Sequence, residues 1–595
     1  MTERSKRLII AAAAFALGIT VGLSSVVIIK RNVKPLTVVK ASGIDSAVNY
    51  NSVYKVMKKF VPTVWDNITS KISAYNRAKM SEYTNGTDES TEAYIDAADV
   101  DYSETNVQVQ GVDEADIVKT DGKYIYILKN EYKKDGITLD SVIKIVNITG
   151  EKPVQCKSIT LDGFCADDMY LSGKRLVIIG RESALINYGK ALKDDIAFSE
   201  NCSSAVFYDV SDPQEPEKSA ECAQSGGLSD TRLIDGKLYI ISNYYINTEK
   251  IEKDKPETFV PSVTAKNHSG AVNAGSICFY GNCSEPEYTV LSAYDIKDGK
   301  LLSTQSVLGG SYTVYASSKN IITASLSGGD GKLQVTRFSL NGGDITLEAA
   351  GELEGELLNQ FSIDEYKEHF RFVLTDNRGE YSSNSLVILD GNLKKTGAIS
   401  GIAEDERVYS VRFMGDTAYF VTFRQVDPLF SVDVSDPTSP KIIGSLKIPG
   451  FSNYLFPFGK GMLFGMGQNA DEKTGRSTGM KISMFDISDP SNVTECAKTN
   501  ISASYSEALY SHKATLINSG KNIIGFSAYG WQNNILYFIY AYENGELVKK
   551  AEINLPHSNT GCRGLYSGDK FYVVTPDVVY CFTLDGFKEL SVTEI

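Results

Sequence analysis

Residues 429–437 read LFSVDVSDP, and the pattern returns as AVFYDVSDP at 205–213 and ISMFDISDP at 482–490. Each copy is an apolar run of strand length that stops on D-x-S-D-P. The second aspartate can accept a backbone N–H two residues on, while the proline fixes φ at about −65° and cannot continue a central strand. The motif therefore marks a strand ending in a turn, and three copies in one chain make this a repeat protein. A divalent cation such as calcium at the aspartate pairs is the functional alternative, but turn chemistry accounts for both residues of each pair.

Between and beyond these copies a looser two-part unit repeats. Its first part is a Gly- or Lys-containing turn followed by an apolar strand, as in DGKYIYIL from Asp121, DGKLYIIS from Asp235, MGDTAYFVTF from Met414 and SGDKFYVVT from Ser567. Its second part is another strand ending on a turn, as in SVIKIVNITG up to Gly150, SLVILDG up to Gly391 and YCFTLDG up to Gly586. Nine such units fit between Asn106 and Ile595, the faintest being HFRFVLT from His369. A period of roughly 40 to 60 residues belongs to propeller blades. The expected fold is all-β, a large β-propeller of eight or nine four-stranded blades. Eight holds if one unit is split across the ring closure. One four-stranded sheet cannot bury both faces alone, and a ring leaves no long free edge.

At 595 residues, the chain is too long for one compact core, which suits a repeat array. A hydrophobic content of 42% and 34 tyrosines against two tryptophans fit an all-β body and exclude a wholly disordered chain. The formal net charge of −14 argues against nucleic acid as a partner, because sequence-independent binding rests on Lys and Arg neutralising phosphates.

Ahead of the propeller, the uncharged stretch from Leu8 to Ile29 (LIIAAAAFALGITVGLSSVVII) is long enough to cross a bilayer core of about 30 Å. It reads as an uncleaved signal anchor, with 1–7 as a cytoplasmic stub and the body outside the cell. Flanking Lys and Arg residues are balanced, so orientation rests on the short stub. In the juxtamembrane part, 30–77, Tyr50, Val53, Tyr54, Met57 and Phe60 recur at the spacing of a short amphipathic helix. Residues 78–105 are acidic and poor in large aliphatics, which is a linker composition. The propeller domain is 106–595.

Nine cysteines and four scattered histidines show no zinc spacing. Cys278 and Cys283 are near enough in sequence for a local disulfide in an exported protein, with buried thiols as the alternative. They lie in a long insertion, about Tyr245 to Glu287, of the kind that projects from a rigid scaffold to bind or merely decorates it. No G-x-S-x-G, H-E-x-x-H or P-loop signature occurs. Two patches are denser in polar groups than strands require. In Val112-Asp113-Glu114-Ala115-Asp116 three carboxylates within four residues suit a hard cation such as calcium or a basic group; solvated turn acids are the alternative. In RVYSVRFMGDTAYFVTFRQVDPLF (407–430), Arg412, Arg424, Gln425 and Asp427 can present a guanidinium fork to a carboxylate or sugar acid, or pair internally, Arg424 with Asp427.

TNVQVQGVDEADIVKTDGKYIYIL, GELLNQFSIDEY and the run from Arg407 to Pro457 resemble the bacterial and archaeal family of secreted proteins with a C-terminal β-propeller domain distantly related to WD repeats. The resemblance covers about 106 to 490. It implies a layout of anchor or signal, short helix, acidic linker and propeller, and carries over no catalytic residues. One departure stands out: the family pattern resembles Y-L-H-P where this chain has Tyr454-Leu455-Phe456-Pro457, so no histidine chemistry carries over there.

The expected function is that of a membrane-anchored extracellular recognition or scaffold module for a protein or glycan of the cell envelope. The alternative is a metal-assisted hydrolase or lyase acting on envelope polysaccharide, with Asp113, Glu114, Asp116, Asp364 and Glu365 gathered at the axial funnel. Convergence of those carboxylates would distinguish the two.

Overall fold

The computed structural model describes residues 44–61 and 101–595, except 133–138, 183–201, 281–284, 327–330, 380, 424–426, 449, 471–476, 504, 531–533 and 557–560. The expected anchor, 8–29, and nearly all of the linker lie outside the described residues. Among those described, no helix is long and apolar enough to cross a membrane.

Nine sheets, each built on four successive antiparallel strands, form nine blades: 118–161, 164–225, 227–308, 313–354, 363–402, 407–448, 451–501, 515–554 and 563–594. The count settles the choice between eight and nine. The first strand of each blade lines the axis, and the fourth lies on the rim, where outer strands such as Thr494–Ile501 expose every second residue. The repeating apolar runs of the sequence are the second and third strands, which are buried almost throughout, as in Leu176–Ile179 and Ala205–Tyr208.

The two faces of each strand serve two different neighbours, which is why alternation in the sequence builds a ring. In the second strand of blade one, Tyr126 and Leu128 pack against Met169, Leu176 and Ile178 of blade two. Ile125 and Ile127 point the other way, onto Leu565, Tyr572 and Val574 of blade nine. Nine such apolar clusters occur, one for each pair of adjacent blades.

No strand is exchanged to close the ring, since the first and last blades each consist of consecutive strands. Closure is made by side chains. Lys144 of blade one, 7% exposed, donates to Pro576 O and Ile595 O at 2.8 Å each and to Asp577 Oδ1 at 3.0 Å. Lys129 reaches the same carboxylate at 2.7 Å.

Antiparallel order gives the ring two unlike faces. The starts of first and third strands and the ends of second and fourth strands share one face, here called upper; the remaining ends share the lower face. All three D-x-S-D-P motifs lie on the lower face. There Asp212, Asp436 and Asp489 each accept the backbone N–H two residues on at 2.9 Å, while Val210, Val434 and Ile487 between the aspartates are buried. Both aspartates of the motif in blades six and seven sit below their usual pKa, chiefly because a Ser or Thr hydroxyl and a backbone N–H bond the carboxylate.

The insertion of blade three is on the upper side but folds back along the rim. Its hairpin of Ser262–Ala265 and His268–Ala271 extends blade two, and Ile277–Tyr280 extends blade three. The helix Tyr50–Met57, capped by Asn49, buries Val53 and Met57 in the same apolar cluster as Phe259 and Val260. Tyr50 donates to Val272 O at 3.1 Å, and Ile44–Ser46 pairs with Ile277–Tyr280.

Because no strand ladder joins blades one and nine among the described residues, Lys144→Ala is expected to lower stability by about 1.5–3 kcal/mol, the value of hydrogen bonds to a charged group. Denaturant titration measures the loss. Hydrogen exchange should accelerate in Val118–Thr120 and Arg563–Ser567 and stay unchanged in Ile363–Tyr366 of blade five.

Candidate functional site

Residues 101–117 form a strap that crosses the axis before the first blade begins. It starts against blade nine, where Ser103 N donates to Tyr566 O at 3.0 Å and Gly568 N donates to Asp101 O at 2.7 Å. Tyr102 then covers the Asp121-Gly122 turn so closely that a Cβ on Gly122 (φ +81°) would lie 2.5 Å from its ring. Asn106 Nδ2 reaches His512 O of the connection into blade eight at 3.4 Å. Gln108 Nε2 spans to blade five, donating to Gln360 O at 3.0 Å and Ile363 O at 3.2 Å. Val112 pairs with Ile234 of blade three, and Asp116 exchanges two 3.0 Å backbone bonds with Met169 of blade two.

The three acids of VDEAD sit on this strap, each beside a basic side chain. Asp113 accepts from Lys119 at 3.0 Å. Glu114, 3% exposed, lies 3.1 Å from His512 Nε2 and accepts from Gln108 N at 3.0 Å. Asp116 is held by Arg563 through Nε and Nη2, each 3.0 Å from Oδ1. Arg563 continues to Glu507 at 3.0 Å. Arg232 links Asp230 to the amide oxygen of Gln360, the latter at 2.8 Å.

Burial raises the cost of every charge here, and local partners decide the outcome. For Glu114 burial pushes the pKa upward, but Arg232, His512 and Lys513 together outweigh it and hold the carboxyl well below its usual range. For Asp116 burial wins over Arg563, helped by the neighbouring charge of Asp168, and the pKa rises. Asp230 is likewise raised by burial against Arg232, with Glu114 adding to the rise. Both arginines stay charged because their acid partners overcome desolvation.

Two cavities lie against the strap. One of about 320 Å³ is bounded by Asp113, Asp116, Lys119 and Arg563 and reaches toward the lower ends of the inner strands at Leu171 and Leu565. The other, about 210 Å³, has Glu114, Arg232 and His512 in its wall and opens among upper-face residues such as Asp230, Tyr312 and Asn359. Of the exposed aromatics, Tyr312 lines that opening. Tyr132, Tyr245, Tyr312, Tyr381, Tyr505 and Tyr510 are the exposed tyrosines among the described residues, and every one lies on the upper face. Exposed aliphatics such as Val154, Leu302, Ile442, Leu590 and Val592 sit instead on rim strands.

Asp364 pairs with Arg371, and Glu365 accepts from Asn320 at 2.9 Å. The acids expected at the funnel are thus parcelled out to separate cations and amides. Among the described residues, no group of three or more His, Cys, Asp or Glu could hold a metal ion. Arg412 is 5% exposed in the inner strand of blade six, in register with Tyr419. Asp427 opens the third strand of that blade opposite Ile448, while Arg424 and Gln425 lie outside the described residues. Cys278 is buried, its Sγ 3.6 Å from Ser46 Oγ, and burial pushes its thiol pKa up; Cys283 lies outside the described residues. Phe456, where the family-like pattern has histidine, is fully buried among Tyr454, Phe464 and Met480.

Arg232, His512, Lys513 and Arg563 escaped the sequence reading because each lies far from VDEAD in the chain. The available signal was positional. Arg232 follows Ser229, Asp230 and Thr231 in an unusually polar inner strand, and His512 sits in the long connection between Ile501 and Thr515.

Nine blades around a strap-filled axis define a single-ring β-propeller. Residues 102–587 match the family described as Beta propeller domain, and the chain belongs to that family. It is similar to an uncharacterised protein of Archaeoglobus fulgidus, 27% identical over 552 residues, covering 82% of this chain and 84% of that one. A second, from Methanocaldococcus jannaschii, is 28% identical over 547 residues, covering 79% and 80%. Among solved structures, Saccharomyces cerevisiae Sqt1 matches at 11% identity with a TM-score of 0.33, covering 71% of this chain and 93% of that one. BamB from Moraxella catarrhalis matches at 11% identity with a TM-score of 0.32, covering 51% and 82%.

Glu114→Gln is expected to cost about 3 kcal/mol near neutral pH, since it leaves buried cations short of a partner. The folded pKa of Glu114 lies below 4.5, so its ionic stabilisation is complete above that pH and is lost as the pH falls further. Asp116 and Asp230, raised by burial, act oppositely, stabilising below their unfolded values and losing that contribution as pH rises through their folded ones. In denaturant titrations at a series of pH values, the gap between wild type and Glu114→Gln should narrow on acidification. A constant gap would place its origin elsewhere than in the carboxylate.

Proposed function

We propose that this chain is a membrane-anchored recognition module of the cell surface, whose propeller meets an envelope ligand through its upper face. The observation that carries the reading is the sorting onto that face of the six tyrosines exposed among the described residues, one of which, Tyr312, lines the opening of a polar cavity. Tyrosine supplies a broad apolar contact with one polar end and little rotamer entropy to lose, which makes it a residue of binding surfaces. The lower face, by contrast, is made of short turns whose aspartates are engaged with their own backbone. The axial acids also favour binding over hydrolysis, because each is committed to a neighbouring cation or amide. Anchoring rests on the apolar run from Leu8 to Ile29, and secretion on the resemblance to a secreted propeller family.

Two measurements test this. The full chain should sediment saturably with isolated cell envelopes. The double variant Tyr505→Ser/Tyr510→Ser should bind at least about fivefold more weakly, with a lower-face control, Lys460→Ser, unaffected. Equal binding by all three proteins would refute the upper face as the contact. For the anchor, the chain should resist extraction of membranes with alkaline carbonate, and protease added to intact cells should degrade the propeller. Release into the wash, or full protection, would refute the topology.

A further inference from the structure

We infer that the upper-face cavity is a binding site for a neutral sugar at the end of a glycan, an assignment that rests on the recognition reading above and specifies its ligand. At about 210 Å³ the cavity is smaller than the roughly 300 Å³ at which pockets for drug-sized ligands begin, so it admits one ring rather than an extended chain. Its wall is polar and fixed. Arg232, 3% exposed, is locked by Asp230 and Gln360, and Glu114 is locked by His512 and Gln108.

Charge selects the ligand class. Glu114 and Asp230 offset Arg232 and Lys513, the last already 3.1 Å from Asp168, so the cavity offers no unbalanced field to a strong anion or cation. What it offers is a set of planar acceptors and donors. The Asn359 Oδ1 is occupied by Phe361 N at 3.0 Å, whereas its amide nitrogen has no hydrogen-bond acceptor among the described residues. Vicinal hydroxyls, each both donor and acceptor, match a mixed set of carboxylate, amide and guanidinium groups without carrying charge.

A sugar ring also has an apolar C–H face, and Tyr312 supplies the surface for it. Tyr312 is 63% exposed at the cavity mouth, yet its hydroxyl donates to the Glu287 carboxylate at 3.0 Å, which fixes its position. Stacking there loses little side-chain entropy. Tyr505 and Tyr510, stacked with centroids 5.7 Å apart, lie on the same face.

The purified full chain in nanodiscs, titrated with the methyl glycosides of glucose, galactose, mannose and N-acetylglucosamine and with glucuronic acid and glucosamine, tests the assignment. Saturation-transfer NMR and calorimetry are the readouts. At least one neutral glycoside should bind, more tightly than either charged sugar. Tyr312→Ala should weaken it about tenfold, equivalent to about 1.4 kcal/mol of lost stacking, at an unchanged melting temperature. Tyr312→Phe, which keeps the ring, should retain most of the affinity. Absence of neutral-sugar binding, preference for a charged sugar, or indifference to Tyr312→Ala each overturns the sugar assignment. If envelope binding still depends on Tyr505 and Tyr510 in that event, the upper face recognises a protein instead and only the ligand class falls; if envelope binding is absent too, both readings fall.

Discussion

The interior of the ring depends on a strap that is not part of any blade. Propellers commonly have roughly four to eight blades, and a ninth widens the channel that the inner strands enclose. Unfilled, that channel would leave inner-strand polar groups without partners. Residues 101–117 fill it with backbone, touching blades nine, eight, five, three and two in turn before continuing into blade one. The strap is therefore a shared hub, and its acids matter because they tie it to cations on separate blades. Each of these ion pairs is costly to bury and still more costly to break one-sidedly, so the network specifies one register of strap against ring.

That arrangement also explains why the ring can close without exchanging a strand. Strand exchange joins first and last blades by backbone hydrogen bonds. Here the seam has an apolar cluster like the other eight, reinforced by Lys144 on two carbonyls and a carboxylate. The strap adds a second fastening beside it, since Ser103 and Asp101 bond to blade nine just before the chain enters blade one.

The architecture was legible in the sequence because a propeller repeats one local rule. D-x-S-D-P, and the Gly turns that replace it, announce strand ends through chemistry confined to four or five residues, and the structure returns the predicted bonds at Asp212, Asp436 and Asp489. The second and third strands alone narrowed the blade count to eight or nine, and the structure has nine. First and fourth strands were harder to see because one is interrupted by axial polar groups such as Arg232 and the other is half exposed. VDEAD was visible as an unusual patch, but its meaning lies in contacts across more than a hundred residues, with Arg232, His512 and Arg563, which no local pattern encodes. A run of acids looks the same whether it awaits a metal or faces basic side chains already in place.

Sidedness was likewise hidden until strand direction was known. Six tyrosines scattered from 132 to 510 share no motif, yet each falls at a strand end or in a connection on one side of the ring. The same topology sends every D-x-S-D-P turn to the other side. A fold in which one face is built from self-satisfied turns and the other from tyrosines and longer connections divides stability from recognition in space. Substitutions on the lower face act on blade geometry, whereas the upper face can change its contact residues while leaving the apolar clusters between blades untouched.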